Sequence, residues 1–173
     1  MNKIVVTGSC GFIGYNFINS LNQISEIVGI DSLNDAYDNN LKKLRLSNLN
    51  KLENFKYVQL DFSESSDFES HEYIFENCDA LVHLGARAGV RQSFNDPERY
   101  LLDNTLGTTN LSLQVKKHNI PKFIIASTSS IYGDTGSKFA VENEDEQFYP
   151  PSIYASTKSF GEILAKNINR SIF

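Results

Sequence analysis

The stretch from Lys3 to Asp31 constrains the fold more than any other part of the chain. An apolar run, Ile4-Val5-Val6, leads into Thr7-Gly8-Ser9-Cys10-Gly11-Phe12-Ile13-Gly14. An amphipathic segment follows, with apolar residues at Ile13, Phe17, Ile18, Leu21 and Ile24. A second apolar run, Ile27-Val28-Gly29-Ile30, then ends on Asp31. This order reads as strand, glycine turn, helix, strand and acid. In such a unit one glycine allows a tight turn, one lets the backbone approach a pyrophosphate, and one permits close helix–strand packing. The helix N-terminus offers unpaired N–H groups and the positive end of a dipole. Asp31, 20 residues beyond Gly11, stands where an acid accepts hydrogen bonds from an adenosine ribose. The spacing is Gly-x-x-Gly-x-x-Gly rather than Gly-x-Gly-x-x-Gly, and a tight turn with no ligand would satisfy the same glycines.

A length of 173 residues suits one domain, or a large part of one. The net charge of −5 gives nucleic-acid binding no electrostatic support, and no basic cluster marks a membrane surface. The longest unbroken apolar run, Phe123 to Ala126, is far too short to span a bilayer. Cys10 and Cys78 form neither a metal spacing nor a disulfide framework, which points to a reducing compartment such as the cytoplasm. Cys10 reads as a small filler in the turn. Met1-Asn2-Lys3 leads straight into the first strand, so no signal peptide is expected ahead of it.

Beyond Asp31 the chain keeps alternating. A helix is expected with Leu41, Leu44, Leu49 and Leu52 on its inner face and Lys42, Lys43 and Arg45 outside. Tyr57 to Leu60 reads as a third strand, and Ser63 to Asp67 as a turn before a short helix over His71 to Asn77. Ala80 to Leu84 is the fourth strand, and Gly85 to Ser93 a small-residue loop with two arginines. Pro97 opens a long helix whose apolar set is Tyr100, Leu101, Leu106, Leu111, Leu113 and Val115. Lys122 to Ala126 is a fifth strand. A Ser/Thr-rich turn, a polar loop from Asp134 to Pro151 and a last helix from Ile153 to Asn169 complete the chain. Alternating strands and helices predict a doubly wound parallel α/β sheet of about five strands, ordered 3-2-1-4-5. His83 reads as a packed core histidine, and His71 and His118 as surface residues.

In open α/β sheets, ligands sit beyond the carboxyl ends of the strands. Tyr154-Ala155-Ser156-Thr157-Lys158 adds a chemical pair there, since a spacing of four puts Tyr154 and Lys158 on one helix face. A tyrosine titrates near pH 10, and a nearby ammonium lowers that value by favouring the phenolate. The pair suits a general base on a hydroxyl, although the same spacing also occurs on solvated helices. Arg91 is either surface charge or a bidentate partner for a carboxylate or phosphate. Ser127, Ser129 and Ser130 fit backbone satisfaction in the turn equally well.

Taken in order, Thr7-Gly8-x-x-Gly11-Phe12-Ile13-Gly14, Asp31, Asp61, His83-Leu84-Gly85-Ala86, Asn104-x-x-Gly107-Thr108, Ser127-Thr128-Ser129-Ser130-Ile131-Tyr132-Gly133 and Tyr154-x-x-x-Lys158 resemble the extended short-chain dehydrogenases/reductases, the family of nucleotide-sugar epimerases and dehydratases. The segments Asp31 to Asp38 and Ala86 to Ser93 resemble the UDP-glucuronate 4-epimerases most. The resemblance covers the amino-terminal part of such proteins. It implies a Rossmann-type domain over residues 1–173 without the carboxyl-terminal substrate domain.

The resemblance also implies roles. Gly8, Gly11, Phe12, Ile13 and Gly14 would hold the pyrophosphate of NAD. Asp31 would hold the adenosine ribose, with Asn34 beside it, and Asp61 and Phe62 the adenine. Leu84, Ala86 and Arg87 would line the nicotinamide half of the channel, with Asn104 on the helix behind. Thr128, Tyr154 and Lys158 would be catalytic. Tyr154 would take the proton of a sugar 4-hydroxyl while hydride passes between C4 and the cofactor. Lys158 would tune Tyr154 and bind the nicotinamide ribose, and Thr128 would hold the reacting oxygen. Arg91, Ser93 and Ser129 would face a UDP-sugar substrate, and no metal is implied. Related dehydratases carry an Asp-Glu pair after the catalytic Thr; Ser129-Ser130 stands there and favours an epimerase. A dinucleotide-binding module without turnover is the second reading, with a homodimer or a complementing carboxyl-terminal half as the expected partner.

Overall fold

The computed structural model describes residues 2–21, 23–134 and 150–170, with backbone only at 169 and 170. Its five strands are β1 (Lys3–Thr7), β2 (Glu26–Asp31), β3 (Phe55–Gln59), β4 (Ala80–His83) and β5 (Phe123–Ile125). They form one sheet in the order β3-β2-β1-β4-β5, with every neighbour parallel. This is the order expected from the alternation. The register pairs Thr7 with both Ile30 and His83, so the ends of β1, β2 and β4 open at one level.

Period-two alternation sends neighbouring strand residues to opposite layers. Val5, Val28, Ile30 and Leu81 pack with Phe68, Leu111 and Val115. Ile4, Val6, Ile27 and Val82 pack with Ile18 and Leu49. Helices α1 (Phe12–Asn19) and α2 (Asn39–Leu49) thus cover one face. Helix α3 (Ser65–His71), with the 3-10 turn Glu72–Ile74, belongs to the other. That face also takes the helical run α4 (Val90–Asn95), α5 (Pro97–Tyr100), a π turn (Leu101–Leu106) and α6 (Gly107–Lys117). Finally α7 (Ile153–Arg170) packs on α6, the π turn and β5.

Several local expectations are corrected. On α2 the inner face carries Lys42, Leu46 and Leu49, while Leu41 and Leu44 are exposed. Lys42 is drawn inside because its ammonium donates to the carbonyl and the side-chain oxygen of Asn34. Ile13 is exposed, and Leu21 and Ile24 reach the core from beyond the end of α1. Strand β3 begins two residues early, at Phe55. The α-helix runs over Ser65–His71, ahead of the expected His71–Asn77, where a 3-10 turn forms at Glu72–Ile74. Within the expected Gly85–Ser93 loop, α4 starts at Val90. The long helix after Pro97 is widened by the π turn, and Leu101, Leu106 and Leu113 face outward. His71 and His118 are half-buried, the latter stacked on Phe75 at 5.9 Å. Most of the polar loop, residues 135–149, lies outside the described residues.

Candidate active site

The glycine turn is dictated by contact distance. Gly8 has φ +67°, and a Cβ there would lie 2.7 Å from the backbone of Gly85. A Cβ at Gly14 would lie 2.2 Å from the Gly8 carbonyl oxygen, which also accepts the Gly11 N–H at 2.9 Å. Only glycines let β1, α1 and the end of β4 approach so closely. Phe12 and Ile13 occupy the exposed first turn of α1. Gly11, the N-cap, brings no side-chain oxygen to the N–H groups of that turn.

Asp31 is buried at the tip of β2. Its Oδ2 accepts the Cys10 N–H at 3.0 Å and its Oδ1 the Leu33 N–H at 2.9 Å. The acid therefore clamps the glycine turn to β2 while keeping lone pairs for a ligand. Lys42 Nζ lies 3.9 Å from Oδ1. Burial pushes the Lys42 ammonium below the usual lysine range, and the charge of Asp31 opposes that shift. Tyr37 and Arg45 both donate to the Cys10 carbonyl, and Arg45 also donates to the Tyr37 hydroxyl. Cys10 itself is fully buried, with its thiol pushed up to about 12 by burial and by Asp31. It is the packed filler expected.

Between these groups and the end of β4 lies a cavity of about 350 Å3, lined by Gly8, Gly11, Asp31, Asn34, Lys42, Asp61, Phe62, Leu84, Ala86, Arg87 and Asp103 among others. A larger hollow of about 690 Å3 lies near the amino ends of the strands, beside Lys3, Glu26 and Asp79. It holds none of the candidate site residues, though Cys78 and His118 line it. Along the first cavity runs a chain of charges. Arg87 donates to Asp103 at 2.7 Å, Arg99 meets the other oxygen of Asp103 at 2.9 Å, and Arg99 reaches Asp61 at 3.4 Å. The π turn lets the adjacent residues Asp103 and Asn104 both be buried on the site side. Phe62 walls the cavity at Gly85, and a Cβ at Gly85 or Gly107 would lie 2.8 or 2.4 Å from its ring.

Behind the cavity is an uncharged network. Thr108 Oγ1 donates to the Asn104 carbonyl, so it accepts from His83 Nε2 at 2.9 Å. Thr7 Oγ1 accepts the Gly85 N–H at 3.1 Å and donates to His83 Nδ1 at 2.6 Å. These partners assign the neutral Nε2–H tautomer. Burial, with the charge of Lys158 adding to it, holds the imidazole down at about 3. Asn104 extends the network by accepting the Arg87 N–H at 2.7 Å and donating to the Arg87 carbonyl and to Thr157 Oγ1. Thr157 in turn donates to the Tyr154 carbonyl.

Tyr154 is half-buried on the first turn of α7, with its ring edge-on to Tyr100 at 6.3 Å. Lys158, one turn on, is buried, and burial pushes its ammonium down to about 8 against the charge of Glu162. Thr128 caps the 3-10 turn Ser129–Tyr132 by accepting the Ser130 N–H at 3.2 Å, and that turn packs on α7. One end of the sheet thus gathers the glycine turn, the buried Asp31, the buried Lys158 and Tyr154.

The structure places Gly8, Gly11, Asp31, Asn34, Asp61, Phe62, Leu84, Ala86 and Arg87 around the one cavity. Asn104 stands behind it, braced to Arg87. Arg91 and Ser129 are exposed, whereas Ser93 is buried with its hydroxyl on the Val90 carbonyl. Sequence reasoning passed over Lys42, Asp103, Thr7 and Thr108. Thr7 and Thr108 stood inside quoted motifs, and Asp103 adjoins Asn104. Lys42 carried no local signal.

A family model described as GDP-mannose 4,6 dehydratase matches residues 5–172. The UDP-glucuronate 4-epimerase of Thermodesulfobacterium geofontis is 42% identical over 171 residues, covering 95% of this chain and 50% of that protein. A crystal structure of a Bacillus cereus UDP-glucuronic acid 4-epimerase Y149F mutant, in complex with UDP-4-deoxy-4-fluoro-glucuronic acid and NAD, superposes with a TM-score of 0.86. It is 29% identical, over 98% of this chain and 52% of that one. DesIV, a dTDP-glucose 4,6-dehydratase from Streptomyces venezuelae, shares the fold at a TM-score of 0.85 with 23% identity, over 98% of this chain and 52% of its own. The chain spans about half the length of the curated relatives it matches. Glycine turn, acid and Tyr-x-x-x-Lys helix, carried on this sheet, agree with the match over nearly every residue: the chain belongs to the family of nucleotide-sugar epimerases and dehydratases that the GDP-mannose 4,6-dehydratase model describes.

Proposed function

We propose that residues 1–173 form the NAD-binding domain of a UDP-sugar 4-epimerase whose substrate is UDP-glucuronate. One observation carries this reading. Asn104 links Arg87, which lines the cavity with the glycine turn and Asp31, to Thr157 on the Tyr154–Lys158 helix, so that helix stands next to the cavity. The turn that Gly8 and Gly14 fold tightly against Gly85 lines the cavity together with Asp31, which supports a dinucleotide there. The dinucleotide supplies a hydride acceptor, and then a donor, for the sugar C4. Tyr154 takes the proton of the 4-hydroxyl and later returns it. Lys158, one turn along α7 and pushed down to about 8 by burial, is still positive at neutral pH and is read as tuning Tyr154. Thr128 offers its hydroxyl to the reacting oxygen. Arg91 and Ser129, both exposed, are read as facing the sugar side, whereas the buried Ser93 spends its hydroxyl on the Val90 carbonyl and does not. A cytoplasmic setting fits the two buried free thiols. Among the described residues no helix is long and apolar enough to cross a membrane.

The half of the relatives that this chain does not span supports a division of labour. Residues 1–173 hold the dinucleotide, and a carboxyl-terminal half holds the sugar against it. Exposed Leu101, Leu106, Leu113 and Ile163 suit a covering partner, either that half or a second copy. The test is to purify residues 1–173, titrate NAD+ and NADP+ by calorimetry, and assay UDP-glucuronate turnover with and without a carboxyl-terminal half. NAD+ is expected to bind at micromolar affinity or weaker and ahead of NADP+, because Asp31 repels a 2′-phosphate. No turnover is expected without the second half, since positioning supplies roughly 7–11 kcal/mol of a barrier. Unaided turnover, or tighter NADP+ binding, refutes this reading.

A further inference from the structure

Lys42 combines three properties that a surface-helix lysine does not have. It is only 4% exposed, it lines the cavity, and it stands opposite the ribose acid. Its ammonium carries three N–H donors. Two of them serve Asn34, at 2.9 Å to the carbonyl and 2.8 Å to Oδ1. The remaining side of the ammonium faces Asp31 Oδ1 across 3.9 Å and has the Tyr37 ring centroid at 4.8 Å. A separation of 3.9 Å exceeds a direct hydrogen bond, yet one hydroxyl oxygen placed between them on the cavity side would lie within bonding distance of both. Asp31 already accepts one backbone N–H on each oxygen, so its open lone pairs accept further protons. A hydroxyl is both donor and acceptor. Asp31 satisfies its proton and leaves its lone pairs unserved. Burying a polar group with half its bonds unmade is costly.

We propose that Lys42 is a specificity-determining residue of the dinucleotide site, donating to an adenosine-ribose hydroxyl whose proton goes to Asp31. This rests on the dinucleotide-binding reading above and adds to it a donor residue. It also assigns selectivity to a pair rather than to one acid. Asp31 rejects a 2′-phosphate by charge, while Lys42 beside it is a cation suited to that phosphate. With Asp31 removed, the site turns from excluding NADP+ to accepting it, and no new arginine is needed.

Binding calorimetry on this chain tests the assignment without any turnover. Wild type, Lys42→Met and, as a control, exposed Lys43→Met are titrated with NAD+ and with its 2′-deoxy- and 3′-deoxyadenosine forms. Lys42→Met should weaken NAD+ binding by about 10–100-fold, the range of one charge-assisted hydrogen bond. It should leave unchanged the affinity for whichever deoxy form lacks the hydroxyl that Lys42 reads. Lys43→Met should change nothing. Equal weakening for NAD+ and both deoxy forms would make Lys42 only a strut for the Asn34 loop and overturn the proposal, as would no weakening at all. Asp31→Ser gives a second reading that leaves Lys42 in place. NADP+ binding should appear in this variant, disappear again in Asp31→Ser/Lys42→Met, and its absence from Asp31→Ser overturns the proposal even if Lys42→Met fails to fold. A wild-type chain that binds no NAD+ overturns both readings. NAD+ coupling to Lys42 that holds, while the chain supplied with a carboxyl-terminal half still turns over no UDP-glucuronate, overturns only the epimerase reading.

Discussion

His83 and Lys42 are both nearly excluded from solvent, at 1% and 4% exposure, and both are held by two polar contacts. The regions around them differ in what the contacts leave over. Around His83, Thr7, Thr108 and Asn104 spend their donors and acceptors on one another and on Gly85 and Arg87. That network is neutral and occupied on both ring nitrogens, so it fixes where the ends of β1 and β4, the π turn and α7 sit. Around Lys42, the charges of Lys42 and Asp31 face each other without closing into a hydrogen bond. That region keeps capacity for a third party. A fully satisfied polar network specifies geometry, and an incompletely satisfied one at a cavity wall specifies a ligand.

The comparison separates function from framework, and the largest break in it should come from Tyr154. Among the described residues, Tyr154 meets the neutral network through its carbonyl, so its ring can change without disturbing that network. In a full-length protein carrying these residues, Tyr154→Phe should lower turnover by roughly 10²–10⁴-fold while NAD+ affinity, read by calorimetry, stays near wild type. Retained turnover would refute the general-base role.

His83→Phe attacks the framework itself. It strands the Thr7 proton and a Thr108 lone pair in a buried place, at a cost of about 2–4 kcal/mol in chemical denaturation at pH 7. The pH dependence sharpens the point. Unfolded histidine takes a proton near 6.5, and folded His83 only near 3. Between those values the unfolded state binds more protons, so wild-type stability falls as pH drops through that window. The variant lacks this loss, and the gap between the two proteins should narrow in acid.

Lys158→Met should do the opposite at neutral pH. The unfolded lysine titrates near 10.4 and the folded one near 8. Below 8 both states are protonated and the folded state bears the whole cost of a buried ammonium. Removing it should stabilise the chain by on the order of 1–3 kcal/mol at pH 7. The gain should shrink above pH 8 and vanish near 10.5, as denaturation at pH 7 and pH 10 would show. A destabilised variant at pH 7 would mean that Lys158 is held by partners rather than strained by burial.

The sheet order and the glycine turn were legible in the sequence because each is a local pattern with one physical reading. Val5 and Val6 alternate, and Gly8 and Gly14 sit where no Cβ fits. The inner face of α2 was not legible. Leucines at 41, 44 and 49 and the set Lys42, Leu46 and Leu49 are both helical stripes, and the choice was made by Asn34 and Asp31 from outside the helix. The π turn was hidden for a similar reason. It depends on Asn104 bonding Arg87 and Thr157, partners 17 and 53 residues away. Helix α3 escaped because Ser65 and Ser66 resemble a turn as much as a first helical turn.

Phe62 fills the room left by two glycines at once, Gly85 from the end of β4 and Gly107 at the head of α6. Its ring and their missing side chains are a single volume divided among three chain segments. Variation at these positions is therefore tied together. A side chain gained at Gly107 is admissible only against a smaller residue at 62, and that smaller residue reopens the wall beside Gly85. The Phe62 end of the cavity thus changes size by concerted exchange among positions 62, 85 and 107, and single substitutions at any of them meet resistance from the other two.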